Sequence, residues 1–149
     1  MASESELVGV LLVAHGGSAT PLLEAARGIA GRDAFEEVET LDAGDGRTDE
    51  LDRAVESSLT RLDHGRGVLV ITDLFGASPC NCSREELGVH KNGVLISGLN
   101  LAMLCKLAHL DRRSLSALEL ANKIAETGRK SVSVHENPSA GADSATSTP

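Results

Sequence analysis

The ten residues from 8 to 17 read VGVLLVAHGG, and this stretch decides the fold. Six of the seven residues before His15 are aliphatic, as in a strand that is covered on both faces of a sheet. The next two residues, Gly16 and Gly17, end the strand and let a reactant come close to the backbone. Because open α/β sheets bind ligands at the carboxyl ends of their strands, the stretch predicts a buried strand that delivers an imidazole to a reactive edge.

Strand and helix patterns alternate along the rest of the chain. Strands are predicted over residues 7–14, 35–41, 68–72 and 93–97, and helices over 21–30, 48–62, from Ser78-Pro79 onward, 100–110 and 114–127. This alternation indicates an α/β fold with a single doubly wound, mainly parallel sheet and flanking helices.

The C-terminal part of the chain gives a weaker signal. Residues 131–135 alternate like an edge strand, which would be antiparallel or exchanged between the subunits of a dimer. The residues after Glu136 are too polar and small to order themselves. We therefore expect one domain over residues 1–135 and a disordered tail over 136–149.

Charge and composition argue against several classes of function. The 149-residue chain has a formal charge of −8 and no basic cluster, which argues against nucleic acid and anionic membrane surfaces as partners. No apolar stretch approaches the ~20 residues of a membrane span, and the acidic N-terminus is unlike a signal peptide. The three cysteines, Cys80, Cys82 and Cys105, fit reduced thiols. We expect a cytoplasmic protein without direct membrane insertion.

Asp73 comes directly after the third predicted strand, as His15 does after the first. If these two strands are neighbours, both side chains lie at the same edge of the sheet. A carboxylate beside one ring nitrogen of a histidine fixes the tautomer and supports the positive charge that develops when the other nitrogen attacks. Alone, a strand-end histidine and a turn aspartate have ordinary structural interpretations, so it is their convergence that favours a functional site.

The segment that follows Asp73 reads LFGASP over residues 74–79 and leads into a predicted helix. Backbone N–H groups of small residues at a helix start, together with a serine hydroxyl, are suited to a phosphate-sized anion, although a serine there is also an ordinary helix cap. The candidate anion-binding residues are Gly76, Ala77 and Ser78, with Gly16 and Gly17 on the other side.

Three segments together resemble the mannose-family IIA proteins of the bacterial sugar phosphotransferase system (PTS). They are VAHGG at residues 13–17, LVITDLFGASP at 69–79 and LISGLNLAML at 95–104. The resemblance extends over about residues 7–134. It is weakest at residues 80–86, where CNCSREE retains the Asn but otherwise departs from the family pattern, which bears on the choice of partner.

The resemblance implies a phosphotransferase component. His15 would accept a phosphoryl group from the phosphohistidine carrier protein (HPr) and pass it to a IIB partner, in sugar uptake or in PTS-linked regulation. Asp73 would orient the ring, and Ser78 would help to hold the phosphoryl oxygens. The family is usually a homodimer and needs no metal or other cofactor for the transfer. A phosphorylation-gated regulatory binding module without transport would use the same site.

Metal chemistry has less support in the sequence. A metal site would combine Cys80 and Cys82 with a histidine such as His64, His90 or His109, but two-residue spacing on a helix points the two thiols apart. A small tetrapyrrole chelatase also ends its first strand in a His-Gly segment. It would need a second histidine after a later strand, and neither His90 nor His109 follows one.

A serine hydrolase is the remaining alternative. It would use Ser18 or Ser78 with His15 and Asp73. Neither serine lies in a Gly-x-Ser-x-Gly elbow, and Ser78 is followed by proline, which argues against a nucleophilic serine.

Overall fold

The structure is a computed structural model that describes residues 6–138. Over this range the strands are β1 (Gly9–Ala14), β2 (Val38–Asp42), β3 (Val68–Thr72) and β4 (Val94–Ser97), and the helices are α1 (Ala19–Ala30), α2 (Asp49–Leu62), α3 (Ser78–Leu87), α4 (Leu101–Leu107) and α5 (Ala117–Lys130). All four of these strands run parallel in one sheet of order β2-β1-β3-β4. The predicted α/β class is confirmed, and β1 and β3 are neighbours.

Helices cover both faces of the sheet. Along β1, Val10 and Leu12 pack in one cluster with α1, α4 and α5, whereas Leu11 and Val13 pack in a second cluster with α2 and α3. Successive side chains of a strand point to opposite faces, so a sheet between two helical layers needs apolar residues at every position. This arrangement explains why the run before His15 is continuously aliphatic.

Side-chain caps fix the starts of several helices. The Thr48 hydroxyl accepts from the Leu51 N–H at 3.1 Å, as predicted for the start of α2. Asn100 caps α4 by accepting from the Met103 N–H at 3.0 Å. None of the helices over residues 6–138 is both long and apolar enough to cross a membrane.

Several predicted boundaries differ from the structure, and two of the differences have a clear physical reason. Phe35 does not begin β2; it closes a short 3₁₀ turn and is buried in the core with 3% of its surface exposed. Helix α5 does not stop before Gly128 but continues to Lys130. A Cβ on Gly128 would lie 2.6 Å from Cγ of Met103, so this glycine permits close packing of α5 on α4.

The predicted edge strand over residues 131–135 is wrong for the single chain. Residues 132–138 lie outside helices and strands, and Val132 and Val134 are 78% and 95% exposed. Alternating apolar residues form a strand only where a neighbouring edge supplies hydrogen bonds, and in the described part of the chain no strand pairs with the outer edge of β4. Exchange of this segment between subunits stays a prediction. Residues 139–149 of the predicted tail lie outside the described residues.

Candidate functional site

His15 and Asp73 meet at the carboxyl edge of the sheet. The parallel register pairs Val13 of β1 with Thr72 of β3, so the residues that follow these strands emerge side by side. His15 Nδ1 lies 2.9 Å from Asp73 Oδ2, and the His15 backbone N–H donates to the same oxygen at 2.9 Å. The structure brings together the two residues that the sequence places at these strand ends.

The Asp73 carboxylate accepts three hydrogen bonds. The third comes from the Leu74 N–H, which lies 2.9 Å from Asp73 Oδ1. Partial burial would raise the pKa of Asp73, but the hydrogen bonds from the His15 backbone, the His15 ring and the Leu74 N–H outweigh it, and the pKa is lowered. An ionised carboxylate can only accept, so Nδ1 of His15 is the nitrogen that donates to Asp73, and Nε2 makes no hydrogen bond within the described residues. The His15 side chain is 38% exposed.

A loop that the sequence analysis missed forms one wall of the site. It connects β2 to α2, and its Gly44 forms an isolated antiparallel bridge with Gly16. The Gly16 N–H donates to the Gly44 carbonyl at 2.8 Å, and the Gly44 N–H donates back at 3.2 Å. Both glycines have positive φ, at 55° and 60°. The available signal was AGDG at residues 43–46, a glycine pair after a strand.

This bridge limits the role of Gly16 in binding an anion. Its N–H is already bonded, so a donor role toward an anion would require the bridge to open. Gly17 is exposed, and its N–H has no acceptor among the described residues. On this side of the site Gly17 is therefore the free donor, and Gly16 shapes the turn.

Arg47 fastens the same loop to the neighbouring helices. Its Nε donates to Asp52 Oδ1 at 2.9 Å, and its Nη2 donates to Glu85 Oε2 at 2.5 Å. Asp52 belongs to α2 and Glu85 to α3, so one side chain joins three segments. Such partly exposed ion pairs contribute little stability singly, and their main effect here is to fix the position of the loop.

The Cys82 thiol completes this network from inside the protein. Its Sγ donates to Asp52 Oδ1 at 2.9 Å, and both Cys80 and Cys82 are buried and free of disulfides. Burial, with the Asp52 hydrogen bond adding to it, raises the pKa of Cys82 to about 12. A thiol that keeps its proton is a poor nucleophile and metal ligand, so Cys82 has a packing role.

The predicted anion-binding segment precedes α3 on the same edge of the sheet. Ala77 occupies the N-cap position and Ser78 is the first helical residue. The Asn81 side chain donates to the Gly76 carbonyl at 3.0 Å, which fixes the turn. Within residues 6–138, no acceptor is bonded to the N–H groups of Gly76, Ala77 and Ser78. Free N–H groups at the positive end of a helix are suited to an anion.

The wall loop also reaches this segment. A Cβ on Gly46 would lie 3.6 Å from Oγ of Ser78, so the β2–α2 connection and the start of α3 are in contact range. The site is therefore framed by the turn after β1, the turn after β3 and the loop after β2.

The residues that a serine hydrolase, a tetrapyrrole chelatase or a metal site would need do not come together as His15 and Asp73 do. The Ser18 hydroxyl donates to the His15 backbone carbonyl at 2.6 Å and not to the ring. His90 pairs with Asp63 at 2.9 Å in the loops that lead into β3 and β4, at the edge of the sheet opposite His15. Over residues 6–138, no three His, Cys, Asp or Glu side chains are grouped to hold a metal ion.

Comparison with known proteins points to one family. A profile of the EIIA-man family, described as "PTS system fructose IIA component", matches residues 9–125. The mannose-specific EIIAB component of Escherichia coli K12 is 29% identical over 126 residues, which are 84% of this chain and 38% of that protein. The chain thus spans less than two fifths of the length of this relative.

Solved structures give the same result. The mannose/sorbose-specific IIA subunit of Enterococcus faecalis has a TM-score of 0.75 and 25% identity, over 89% of this chain and 97% of that one. A PTS IIA protein associated with the fucose utilization operon of Streptococcus pneumoniae has a TM-score of 0.74 and 26% identity, over 90% and 96% of the two chains. The similarity covers nearly the whole of each of these chains.

Proposed function

The chain belongs to the EIIA-man family of the phosphotransferase system, and from that premise we propose that it carries a phosphoryl group on His15. The observation that carries the proposal is the contact of His15 Nδ1 with Asp73 Oδ2 at 2.9 Å. It engages Nδ1 and leaves Nε2 without a hydrogen-bond partner among the described residues, on a side chain that is 38% exposed. A nucleophile on an open edge is accessible to another protein, as a phosphocarrier requires.

The proposed step is a transfer between two imidazoles. The Nε2 lone pair of His15 forms a bond to phosphorus while the bond from phosphorus to the donor nitrogen breaks, and that electron pair returns to the donor ring. The His15 ring keeps its Nδ1 proton and becomes positively charged, and the Asp73 carboxylate offsets this charge. Phosphoryl transfer of this kind depends mainly on positioning and electrostatic stabilisation, so the proposal includes no metal or other cofactor.

The phosphoryl oxygens would be held by the free donors of the two turns. These are the N–H groups of Gly76, Ala77 and Ser78, the Ser78 hydroxyl, and the N–H of Gly17. Because they are fixed by the fold before the reaction, no reorganisation is needed as charge develops on the transferring group.

The partners follow from the same premise. We propose HPr as the donor and a IIB component as the acceptor, in the cytoplasm; the E. coli relative is named for both an A and a B component. We also propose a homodimer, to which the exposed Val132 and Val134 would contribute. Sedimentation velocity over a concentration series tests the dimer, and a monomer throughout would contradict it.

Intact-mass analysis tests the central proposal. The protein is incubated with phosphoenolpyruvate, enzyme I and HPr, and we expect one acid-labile, base-stable phosphoryl adduct that is absent from His15→Ala. No adduct on folded wild-type protein would overturn the proposal. Adding the IIB component then distinguishes phosphoryl transfer to IIB from the phosphorylation-gated binding module. Rapid loss of the adduct supports transfer to IIB, whereas a retained adduct with altered partner binding supports the regulatory module.

A further inference from the structure

A second helix start lies at the reactive edge, directly after His15. Helix α1 begins at Ala19, and its own sequence does not cap it. The N-cap residue Ser18 makes no side-chain hydrogen bond to the helix; its hydroxyl donates instead to the His15 carbonyl. The first turn of α1 also holds no acidic residue. A helix that starts in this way presents N–H groups and the positive end of its dipole to a nearby anion.

Asp42 closes this helix start from the neighbouring strand. It is the last residue of β2 and pairs in register with Ala14, the residue before His15. The Thr20 N–H donates to Asp42 Oδ1 at 3.1 Å. The Thr20 hydroxyl also lies 2.8 Å from the Thr40 hydroxyl of β2, so two contacts fix the first turn of α1 to this strand. The cap that α1 lacks in its own sequence is therefore supplied by β2.

The Asp42 carboxylate is charged at neutral pH. What burial it has would raise its pKa, but hydrogen bonds from the Thr20 side chain, the Thr20 N–H and the Ala19 N–H outweigh this, and the pKa of Asp42 is lowered. One negative charge at this position offsets the positive end of α1. The first turn of α3 has no acidic residue. Of these two helix starts, α3 is therefore open to an anion and α1 is closed.

We propose that Asp42 sets how tightly the phosphoryl group is held on His15. This inference rests on the carrier function proposed for His15. The phosphoryl group would be stabilised from the side of α3 and repelled from the side of β2. A carrier must release its phosphoryl group as readily as it accepts it, so stabilisation by both helix starts would hinder onward transfer. Asp42 and His15 share no hydrogen bond, and Asp42 acts through α1 and through its charge as a positioning residue.

Asp42 changes the equilibrium of the transfer and not its bonds. The bond from phosphorus to His15 forms as the bond to the donor nitrogen breaks, and that electron pair returns to the donor ring. Because the phosphoryl group is anionic, removing a neighbouring negative charge favours the phosphorylated protein over the free one. Both charges are partly in solvent, so we expect a change of about fivefold in the equilibrium constant, and less at high salt.

The distribution of phosphoryl groups between HPr and this chain measures the effect. Phosphorylated HPr, freed of enzyme I and phosphoenolpyruvate, is mixed with an equal amount of each variant, and intact mass gives the four species. The constant for transfer to His15 should rise about fivefold in Asp42→Asn, since Asn keeps an oxygen that accepts from the Thr20 N–H but carries no charge. Asp33→Asn is the matched control and should keep the wild-type constant. It removes the same charge from an exposed residue in the 3₁₀ turn beyond the other end of α1.

Two further variants separate charge from capping. Asp42→Glu keeps the charge and should keep the equilibrium constant within about twofold of wild type. Asp42→Ala removes both charge and cap, so it should lower the urea midpoint of unfolding and still raise the constant about fivefold. A folded Asp42→Asn whose constant equals or lies below that of wild type would show that Asp42 is a helix cap alone, and would overturn the proposal.

Phosphoramidate separates failure of this inference from failure of the proposed function. This small donor transfers its phosphoryl group without a protein partner. If wild type is labelled and the constant does not rise in Asp42→Asn, the role of Asp42 is wrong and the carrier function stands. If neither HPr nor phosphoramidate labels His15 in the folded wild type, the carrier function is wrong and the inference is overturned with it.

Discussion

Within residues 6–138, a His–Asp pair lies at each of the two ends of the parallel strands. Both pairs have the same geometry, in which Nδ1 of the histidine contacts Oδ2 of the aspartate. His15 Nδ1 lies 2.9 Å from Asp73 Oδ2 at the carboxyl edge, and His90 Nδ1 lies 2.9 Å from Asp63 Oδ2 at the amino edge. Burial would raise the pKa of Asp63, but hydrogen bonds from the His90 ring and the Gly65 N–H outweigh it, so its pKa is lowered as that of Asp73 is.

The surroundings of the two pairs differ. The His15 side chain is 38% exposed, whereas that of His90 is 13% exposed. His15 is followed by exposed glycines, and the start of α3, with its free N–H groups, lies at the same edge of the sheet. The loops around His90 pack closely, and a Cβ on Gly67 would lie 2.3 Å from the Asn92 carbonyl oxygen. A His–Asp contact therefore orients an imidazole, but access and anion donors decide whether it can react.

The largest expected effect separates the two histidines. His15→Ala removes phosphoryl labelling completely, because the accepting nitrogen is lost. His90→Ala should retain phosphoryl labelling within about twofold of wild type, since the His90 ring lies at the amino edge of the sheet and does not contact His15. The measurement is intact mass after incubation with the donor system, and loss of labelling in folded His90→Ala would contradict the comparison.

The next effect separates the two aspartates. Asp73→Asn should slow phosphorylation by roughly 10- to 100-fold without abolishing it, because the amide no longer fixes the tautomer or balances the ring charge. Asp63→Asn should leave the rate unchanged. Rapid-quench labelling at saturating HPr gives both rates, and equal rates for wild type and Asp73→Asn would refute the orienting role.

The amino-edge pair should matter for stability instead. Asp63→Asn is expected to lower the free energy of unfolding by about 1–3 kcal/mol at pH 7, because a partly buried charged hydrogen bond is lost. The folded state lowers the pKa of Asp63, so this stabilisation is fully present above the unfolded value near ~3.9 and is lost as the pH falls through the lowered pKa.

Urea unfolding at several pH values checks this sign. The difference between wild type and Asp63→Asn should narrow as the pH is lowered below ~4. Asp33→Asn, at an exposed residue, is the control. A difference that stays constant down to acid pH would show that the mutation acts through packing.

The smallest effect on labelling concerns the buried thiol. Cys82→Ala should cost about 1–2 kcal/mol of stability and leave His15 labelling unchanged, because Cys82 packs behind the site and keeps its proton. Alkylation of native protein at pH 8, followed by peptide mapping, should modify the partly exposed Cys105 before Cys82, whose pKa is raised to about 12. Lost labelling in folded Cys82→Ala would give the thiol a direct role.

Much of the candidate site was accessible from the sequence because its two main residues end strongly patterned strands. The aliphatic runs before His15 and Asp73 predict buried strands, and parallel packing then places both residues at one edge. The free donors of Gly76, Ala77 and Ser78 follow from the helix start. The Gly44 loop and the Arg47 network escaped prediction, since no local period marks a contact between residues that are 28 apart, as Gly16 and Gly44 are, or 38 apart, as Arg47 and Glu85 are.

The sequence by itself determined the element types, the layered fold and the residue on which chemistry is proposed, because these depend on local hydrophobic periods and on strand ends. The tertiary structure alone decided that Gly16 is bonded to Gly44, that Gly128 makes room for Met103, and that residues 132–138 pair with no strand within residues 6–138. It also buried Arg112, which donates to the backbone carbonyls of Val8 and Glu36. These features depend on register and on which elements become neighbours, and the packing of the whole chain sets both.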